Sequence, residues 1–369
     1  MAMTSLFDPI TLRDLTIRNR IWLPPVCQYQ VTARDGVPGE WHFMHYGARA
    51  AGGFGLLIAE ATGVTPEGRI TPQDCGLWND AQRDGWKPIV DFVHRQGAAM
   101  GVQLGHSGRK GSAWWDFSGN TGSVAPSDDG WQTVAPSTIA FPGYEPPREI
   151  TIDEIKAVVE AFADAALRAD QAGFDAIELH GAHGYLLFSF LSPLTNHRQD
   201  GYGGDFTGRT RLMLEVCDAV RATWPKTKPL IMRISATEWV DGGWSLNDTL
   251  KLVPLLKSHG VDFMDVSSGG NVPAAIPIAP GYQVPLAAAV RSAGLPVSTV
   301  GLITVPTQAQ QILSDGKADA VEIGRAALRQ PFWPLWAAHE LSADEAAAAL
   351  TPESYRRGAY PKPGAPLTR

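Results

Sequence analysis

Two histidines and a tyrosine stand close together in the run HGAHGY, which begins at His180 and includes His183 and Tyr185. Imidazole and phenol groups can hydrogen-bond a carbonyl or nitro oxygen and deliver a proton. Imidazoles three residues apart can also chelate zinc, but no cysteine or carboxylate cluster is evident beside them. We therefore predict a substrate-binding and proton-transfer site without a metal, while a structural role for one histidine stays open.

Two glycines end neighbouring apolar runs late in the chain, Gly301 and Gly324, and Arg325 follows the second. Loops after the last two strands of an α/β barrel often bind phosphate through backbone N–H groups, and glycine allows the close approach. Arg325 would add a fork of donors. This pattern predicts a phosphate site, with ordinary turn chemistry as the alternative.

Gln103 and Arg233 are polar residues inside otherwise apolar runs. Burying them without partners is costly, so they need a polar ligand. An arginine beside a flavin's N1–C2=O edge would stabilise the anionic reduced ring, and an amide can meet the pyrimidine's donors and acceptors. The alternative is an interior ion pair in which Glu178 or Glu322 neutralises Arg233.

Cys27 lies at the end of an early apolar run, with Tyr29 beside it. A lone cysteine is often only a small buried hydrophobe. At this position, however, a thiol could tune the potential of a redox ring by hydrogen bonding.

The elements that must position these residues are eight short apolar runs separated mostly by helical patterns, which predicts a parallel sheet covered by helices. We predict a (β/α)8 (TIM) barrel of the α/β class, with a doubly wound open sheet as the competing architecture. Two of the helices are expected at Ile152–Ala172 and Thr207–Trp224. The strands are expected at Arg20–Leu23, Leu56–Glu60, Met100–Leu104, Ala176–His180, Leu230–Ile234, Phe263–Ser267, Val297–Val300 and Ala320–Ile323.

Three segments lie outside this repeat. Leu6–Arg20 is expected to form a β-hairpin floor, and the Ser/Gly/Pro/Trp-rich stretch 106–149 after the third strand is expected to be a binding loop or lid, with a disordered insert as the alternative. An acid- and Ala-rich helix and the Pro-rich end Tyr360–Arg369 follow Trp336. We expect one domain, 1–369, with its core at 20–340 and a C-terminal arm at 341–369.

Composition narrows the functional class. The 369 residues are 44% hydrophobic and 19% charged, with a net charge of −7 and no Lys/Arg-rich run, so nucleic-acid binding is not expected. No signal peptide or membrane span is evident. The cysteines, Cys27, Cys75 and Cys217, are widely spaced and odd in number, which indicates a reducing cytoplasm rather than a disulfide framework.

Taken together, these motifs resemble the old yellow enzyme family, particularly its bacterial thermophilic-like branch. The motifs that carry the resemblance are LFDP from Leu6, CQY from Cys27, QLGHSGRK from Gln103, the run from His180 to Tyr185, LSP from Leu191, NHR from Asn196, YGG from Tyr202 and IGR from Ile323.

The resemblance implies a non-covalently bound FMN, reduced by NADPH or NADH in a ping-pong cycle. Its cradle would consist of Pro24, Pro25, Val26, Cys27, Ala61, Gln103, Arg233, Ser268, Gly269, Gly301, Gly324 and Arg325. His180 and His183 would grip the electron-withdrawing oxygen of an enone or nitroalkene, Tyr185 would protonate Cα, and Tyr29 would shape the pocket.

The resemblance also implies a homodimer or tetramer. In it, Arg357 of the motif YRRG would reach the neighbouring subunit's site, although Ala359 replaces an expected aromatic residue. Two other classes stay open. A cofactor-free barrel lyase or isomerase would need a lysine or paired carboxylates at strand ends, and none of the eight runs carries a lysine. A non-enzymatic flavin-binding redox sensor could use Cys27.

Overall fold

The computed structural model describes residues 4–360. The chain opens with the predicted hairpin, in which β1 (Ile10–Leu12) pairs antiparallel with β2 (Leu15–Ile17). Leu12 and Ile17 of this hairpin belong to an apolar cluster with the barrel residues Trp22 and Phe263, whose rings lie 4.8 Å apart. The hairpin is therefore the floor of the barrel, as predicted.

Eight parallel strands form a closed barrel, and the last strand pairs with the first. Every predicted strand is present, with its ends moved by at most three residues, so the TIM-barrel prediction is confirmed and the open sheet is wrong. The strands are β3 (Ile21–Leu23), β4 (Leu56–Gly63), β5 (Ala99–Gly105), β8 (Ala176–Gly181), β9 (Leu230–Ser235), β10 (Phe263–Ser267), β11 (Val297–Thr299) and β12 (Ala320–Glu322).

Helices surround the barrel, and their ends follow local capping signals. In the first predicted helix, α3 (Ile152–Ala172), the Thr151 hydroxyl accepts the Glu154 N–H, and Gly173 ends the helix with φ +93°. The second predicted helix, α5 (Phe206–Thr223), begins one residue before the predicted start because Asp205 caps it. The helices are α1 (Glu40–Ala51), α2 (Asp80–Arg95), α3 (Ile152–Ala172), α4 (Leu186–Leu191), α5 (Phe206–Thr223), α6 (Leu246–Ser258), α7 (Val284–Ser292), α8 (Pro306–Ser314), α9 (Arg325–Arg329), α10 (Trp333–Glu340) and α11 (Asp344–Leu350).

The barrel interior changes from apolar to polar along the strands. Near the floor it is filled by residues such as Ile231, Phe263 and Ala320. Since side chains on one face of a strand recur every second residue, the layer above contains Arg233 and Asp265, together with Glu178 and Glu322. Polar groups are therefore concentrated toward the C-terminal ends of the strands, where barrel enzymes place their chemistry.

The stretch 106–149 packs against the barrel and is not a disordered insert. It contains the strands β6 (Val134–Ala135) and β7 (Arg148–Glu149), which pair with each other. Its buried Arg109 donates hydrogen bonds to the carbonyls of Ile139 at 3.0 Å and Asn271 at 2.5 Å. The first bond is internal to the stretch, and the second ties the stretch to the loop after β10.

The C-terminal segment contains the predicted acid- and Ala-rich helix, α11, followed by a 3-10 turn at Glu353–Gly358. The Pro-rich end predicted at Tyr360–Arg369 lies outside the described residues beyond position 360. None of the helices within 4–360 combines the length and apolar character that crossing a membrane requires. The domain bounds stay a prediction.

Candidate active site

A cavity of about 300 Å³ opens at the C-terminal ends of the barrel strands. Gly301 lies at its edge with φ +116°, and a Cβ there would come within 2.8 Å of the Gln283 amide nitrogen, so glycine is required. Seven of the predicted cofactor residues line the cavity: Pro24, Pro25, Val26, Arg233, Gly301, Gly324 and Arg325.

Arg233 lies at the base of the cavity, between two register neighbours. His180 on β8 and Asp265 on β10 are its Cα partners. The Arg233 Nε lies 2.8 Å from Asp265 Oδ2, an ion pair whose N–H direction is not aligned for a hydrogen bond. Within residues 4–360, no group accepts a hydrogen bond from the guanidinium. Arg233 is thus a buried cation with free donors at a cavity wall.

Arg233 does form an interior ion pair, as the alternative interpretation predicted, but the predicted partner was wrong. The prediction named Glu178 or Glu322, whereas the contact is with Asp265. Asp265 is opposite Arg233 in the parallel ladder, while Glu178 is opposite Ile231, which comes two residues before Arg233 on β9. Glu178 instead accepts a hydrogen bond from Gln103 Nε2 at 2.7 Å. Gln103 is therefore buried and paired, and it does not line the cavity.

His180, His183 and Tyr185 form a compact cluster beside Arg233. The His180 ring lies 5.2 Å from the His183 ring and 4.8 Å from the Tyr185 ring, both edge to face. His183 has φ +60°, and a Cβ on Gly270 would come within 2.8 Å of its Cα, so the close approach of two loops holds this turn. The three predicted residues are brought together.

A hydrogen bond assigns the proton on His180. His180 Nδ1 accepts the Ala182 N–H at 3.3 Å, which leaves the proton on Nε2. His183 Nε2 lies 2.8 Å from the Ser267 hydroxyl, which also donates to Gln283 Oε1 at 3.3 Å. The neighbours of His183 are therefore compatible with a proton on either ring nitrogen.

Both imidazoles are neutral near neutral pH. Burial lowers the pKa of His180 and of His183 well below the ordinary value, and the Arg233 charge lowers both further. Neutral imidazoles can donate a hydrogen bond to an oxygen without carrying a buried charge.

The Tyr185 hydroxyl has no hydrogen-bond partner among residues 4–360. Tyr185 lines a small pocket together with Ala61 and His180. Burial raises its pKa well above the ordinary range, so the phenol keeps its proton. A protonated phenol with a free hydroxyl in a pocket can serve as a proton donor.

Cys27 and Tyr29 follow β3 and lie close enough to Tyr185 for electrostatic interaction. Burial raises the pKa of the Cys27 thiol, and the carboxylates of Asp74 and Glu60 raise it further, so Cys27 is a thiol and not a thiolate. Burial also raises the pKa of Tyr29, as do Cys27 and then Asp74. The Tyr29 ring lies 6.2 Å from Trp115 of the stretch 106–149, which therefore covers this side of the site.

Ser268 and Gly269 adjoin the cavity without lining it. The Ser268 hydroxyl donates to Gln283 Oε1 at 2.7 Å, and Gln283 Nε2 donates to the Val300 carbonyl at 2.9 Å. Gly269 has φ +69°, and its carbonyl accepts the Ser235 hydroxyl. These contacts join the ends of β9, β10 and β11, so both residues support the cavity wall in this chain.

Lys110 is a site residue that the sequence reasoning missed. Its ammonium donates to the carbonyls of His183 and Gly270, both at 2.8 Å, and lies 5.0 Å from the Tyr185 ring centroid. Burial and, to a smaller extent, the charge of Arg109 together lower the pKa of Lys110 to about 8. The motif QLGHSGRK includes Lys110, but this residue follows β5 and does not lie on a strand, so its position in the sequence did not indicate that its side chain reaches the site.

Arg357 does not join the site within one chain. It is exposed on the 3-10 turn Glu353–Gly358, and neither the cavity nor the small pocket includes it. Its role in a neighbouring subunit stays a prediction.

Comparisons with known proteins agree with this geometry. A family model described as the NADH:flavin oxidoreductase / NADH oxidase family matches residues 5–344. The chain is 46% identical over 357 residues to the NADPH dehydrogenase of Geobacillus thermodenitrificans, covering 96% of this chain and 98% of that protein. It is 44% identical over 337 residues to the NADPH dehydrogenase of Halalkalibacterium halodurans, covering 91% and 94%.

Solved structures give the same result. Morphinone reductase in complex with tetrahydroNAD superposes with a TM-score of 0.76 at 30% identity, covering 92% of this chain and 91% of that one. An old yellow enzyme homologue from Zymomonas mobilis superposes with a TM-score of 0.75 at 31% identity, covering 89% and 90%.

Proposed function

The chain belongs to the old yellow enzyme group of the NADH:flavin oxidoreductase / NADH oxidase family, and from that premise we propose that it is an FMN-dependent NAD(P)H oxidoreductase that reduces the activated C=C bond of α,β-unsaturated carbonyl or nitro compounds. The observation that carries the substrate proposal is the free Tyr185 hydroxyl, which lies beside two neutral imidazoles. An acid and two hydrogen-bond donors on one loop suit a substrate that needs both an oxygen contact and a proton.

The residues around the cavity fit FMN. Arg233 has guanidinium donors without a protein acceptor, which suits the electron-rich N1–C2=O edge of a flavin. Gly301, Gly324 and Arg325 line the same cavity and can meet a phosphate with backbone N–H groups and a guanidinium. When bound there, FMN would supply the hydride chemistry between a reduced nicotinamide and Cβ of the substrate.

His180 and His183 would bind the substrate oxygen. His180 Nε2–H is a donor that the hydrogen bonds within residues 4–360 leave free, and His183 would donate from Nδ1 when its Nε2 accepts the Ser267 hydroxyl. Donors aimed at an oxygen that gains negative charge stabilise the transition state more than the ground state. This arrangement favours carbonyl and nitro compounds over isolated alkenes.

Tyr185 would donate the proton to Cα. Within residues 4–360 its hydroxyl makes no hydrogen bond, and Tyr185 lines the small pocket next to His180. The Lys110 ammonium near its ring would stabilise the tyrosinate left after donation. Tyr29, which lies near Cys27, would shape the pocket from the other side.

Turnover would be ping-pong, with NADPH or NADH giving up its hydride and leaving as NADP⁺ or NAD⁺ before the substrate enters the same pocket. The relatives named NADPH dehydrogenase support NADPH as a reductant. Cys27 would tune the flavin by hydrogen bonding rather than by nucleophilic attack, because its raised pKa keeps it protonated. We also propose a cytoplasmic location, supported by the free thiols of Cys27, Cys75 and Cys217.

We further propose a homodimer or a tetramer built from dimers. The side chains of Trp41, Phe43 and Met44 on α1 are 46%, 37% and 49% exposed, an apolar patch that a second copy could cover. Arg357 would then reach the neighbouring site. Nothing in the charge or composition supports a nucleic-acid or membrane partner.

The visible spectrum tests the proposal directly. The purified protein should be yellow, bleach anaerobically with NADPH, and recover its flavin bands when 2-cyclohexenone is added. Bleaching without recovery by any enone or nitroalkene would favour a redox sensor. A colourless protein that FMN cannot reconstitute would contradict the proposed function.

A further inference from the structure

Three carboxyl groups meet inside the barrel, beneath Arg233. Glu178, Asp265 and Glu322 come from β8, β10 and β12, and each is at most 1% exposed. One oxygen atom from each lies within 4.8 Å of the other two. We call these residues the acid triad; none of them was predicted to act in the chemistry.

The hydrogen bonds of the acid triad are incomplete. Gln103 donates to Glu178 Oε1 and Ser298 donates to Glu322 Oε1, both at 2.7 Å. Within the described part of the chain, residues 4–360, no hydrogen-bond partner is present for Glu178 Oε2, Glu322 Oε2 or either Asp265 oxygen. Buried carboxylate oxygens without donors are costly. Protons on the two glutamates would turn their orphan oxygens into donors toward Asp265.

Charge leads to the same conclusion. Three carboxylates beside one guanidinium would leave two uncompensated negative charges in the barrel interior. Of the other titratable groups near Arg233, His180, His183 and Cys27 are neutral near neutral pH. Arg325 and Arg329 line the same cavity, but neither is among the charges that shift the pKa values of the three carboxyls. Two protons on the triad would neutralise the group, since buried ions persist only when they are paired.

We propose that the acid triad stores two protons, with the carboxylic acids of Glu178 and Glu322 donating to an ionised Asp265, and that Asp265 positions Arg233. The ion pair at Nε then leaves the other guanidinium donors for the cavity. The part concerning FMN rests on the proposed function. The stored protons do not, because they follow from burial and hydrogen bonding in the protein alone.

The pKa shifts of the three carboxyl groups agree with this arrangement of protons. Burial raises the pKa of Glu178, and the Asp265 charge raises it further. Burial also raises the pKa of Glu322, to about 8. Burial raises the pKa of Asp265 as well, but the Arg233 charge opposes that rise, and so would hydrogen bonds donated by protonated Glu178 and Glu322, which makes Asp265 the carboxyl that ionises.

A metal ion is the competing occupant of three buried carboxylates. However, the Arg233 guanidinium already supplies the cation, 2.8 Å from Asp265. A second cation would be repelled by this fixed charge. Protons satisfy the same oxygens without that repulsion.

Infrared difference spectroscopy tests the stored protons. At about pH 7, where ordinary Asp and Glu with pKa near 4 are ionised, wild-type protein should show protonated-carboxyl C=O bands that shift in D₂O. Glu178→Gln and Glu322→Gln should each remove one band, while Glu160→Gln, an exposed control on α3, should change none. The measurement needs no FMN, so it can succeed even if the proposed function fails.

Two outcomes would overturn the proton storage: wild-type protein without such bands at about pH 7, or stoichiometric bound metal in purified protein. The wild-type measurement does not depend on any variant folding.

The positioning role has its own readout, which is FMN affinity. Asp265→Asn should raise the FMN Kd about tenfold or more by fluorescence titration of the apoprotein, and Asp265→Glu should partly restore binding. An unchanged Kd in a folded Asp265→Asn variant would overturn the positioning role. If neither the variant nor wild-type protein binds FMN, the proposed function fails instead.

Discussion

Replacing Tyr185 with phenylalanine removes one oxygen atom from the proposed proton donor and little else. The hydroxyl has no hydrogen-bond partner within residues 4–360, so no protein group loses one. The ring contacts with His180 at 4.8 Å and Lys110 at 5.0 Å can be kept by phenylalanine. The free energy of unfolding should therefore change by no more than about 0.5 kcal/mol.

The effect on rate should be much larger and confined to one half-reaction. A positioned general acid contributes roughly 10²- to 10⁴-fold, which corresponds to about 2.7–5.5 kcal/mol in the barrier. Reoxidation by an enone needs that proton, whereas reduction by NADPH does not. Tyr185→Phe should slow reoxidation by this factor and leave reduction within about twofold of wild type.

Anaerobic stopped-flow absorbance separates the two half-reactions, with NADPH and 2-cyclohexenone mixed in separate experiments. Tyr29→Phe is the matched control, because it removes the hydroxyl of a second tyrosine that interacts electrostatically with Tyr185. Equal slowing of both half-reactions would refute the assignment. So would a large loss of reoxidation in Tyr29→Phe with none in Tyr185→Phe.

Three further predictions concern the oxygen-binding donors, the acid triad and the C-terminal turn. Replacing both His180 and His183 with alanine should abolish the long-wavelength complex of the flavin with phenols, and an unchanged titration with p-hydroxybenzaldehyde at equal FMN content would contradict the binding role. The pKa of Glu322 is about 8 in the folded state, above its value near 4.3 in the unfolded chain. Between these two pH values the native state keeps a proton that the unfolded chain releases. The free energy of unfolding therefore falls as pH rises through this range, by up to about 1.4 kcal/mol per pH unit. Glu322→Gln should lose that slope in urea unfolding, and parallel pH profiles for variant and wild type would count against the raised pKa. Arg357→Ala should raise the enone KM several-fold while Arg356→Ala does not, and equal KM values in both variants would remove the case for an arm that completes the neighbouring site.

Much of the fold could be predicted because its signals are local. Each barrel strand is a short apolar run ended by glycine or a polar residue, and α3 carries its own start at Thr151 and stop at Gly173. Such signals depend on residues a few positions apart, so no tertiary information is needed to interpret them.

The site could be predicted in outline for a related reason. Once the strands close into a barrel, their C-terminal ends meet, so residues as distant in sequence as Pro24, Arg233 and Arg325 line one cavity. The sequence alone determined which residue types stand at those ends.

Only the tertiary structure decided which side chains pair. Asp265, and neither Glu178 nor Glu322, contacts Arg233, because the register of β9 against β10 puts those two residues opposite each other. Lys110 reaches the His183 carbonyl from a loop whose path no periodic pattern describes. Partner choice depends on strand register and on side-chain reach across separate loops, and neither quantity is encoded in the spacing of residues along the chain.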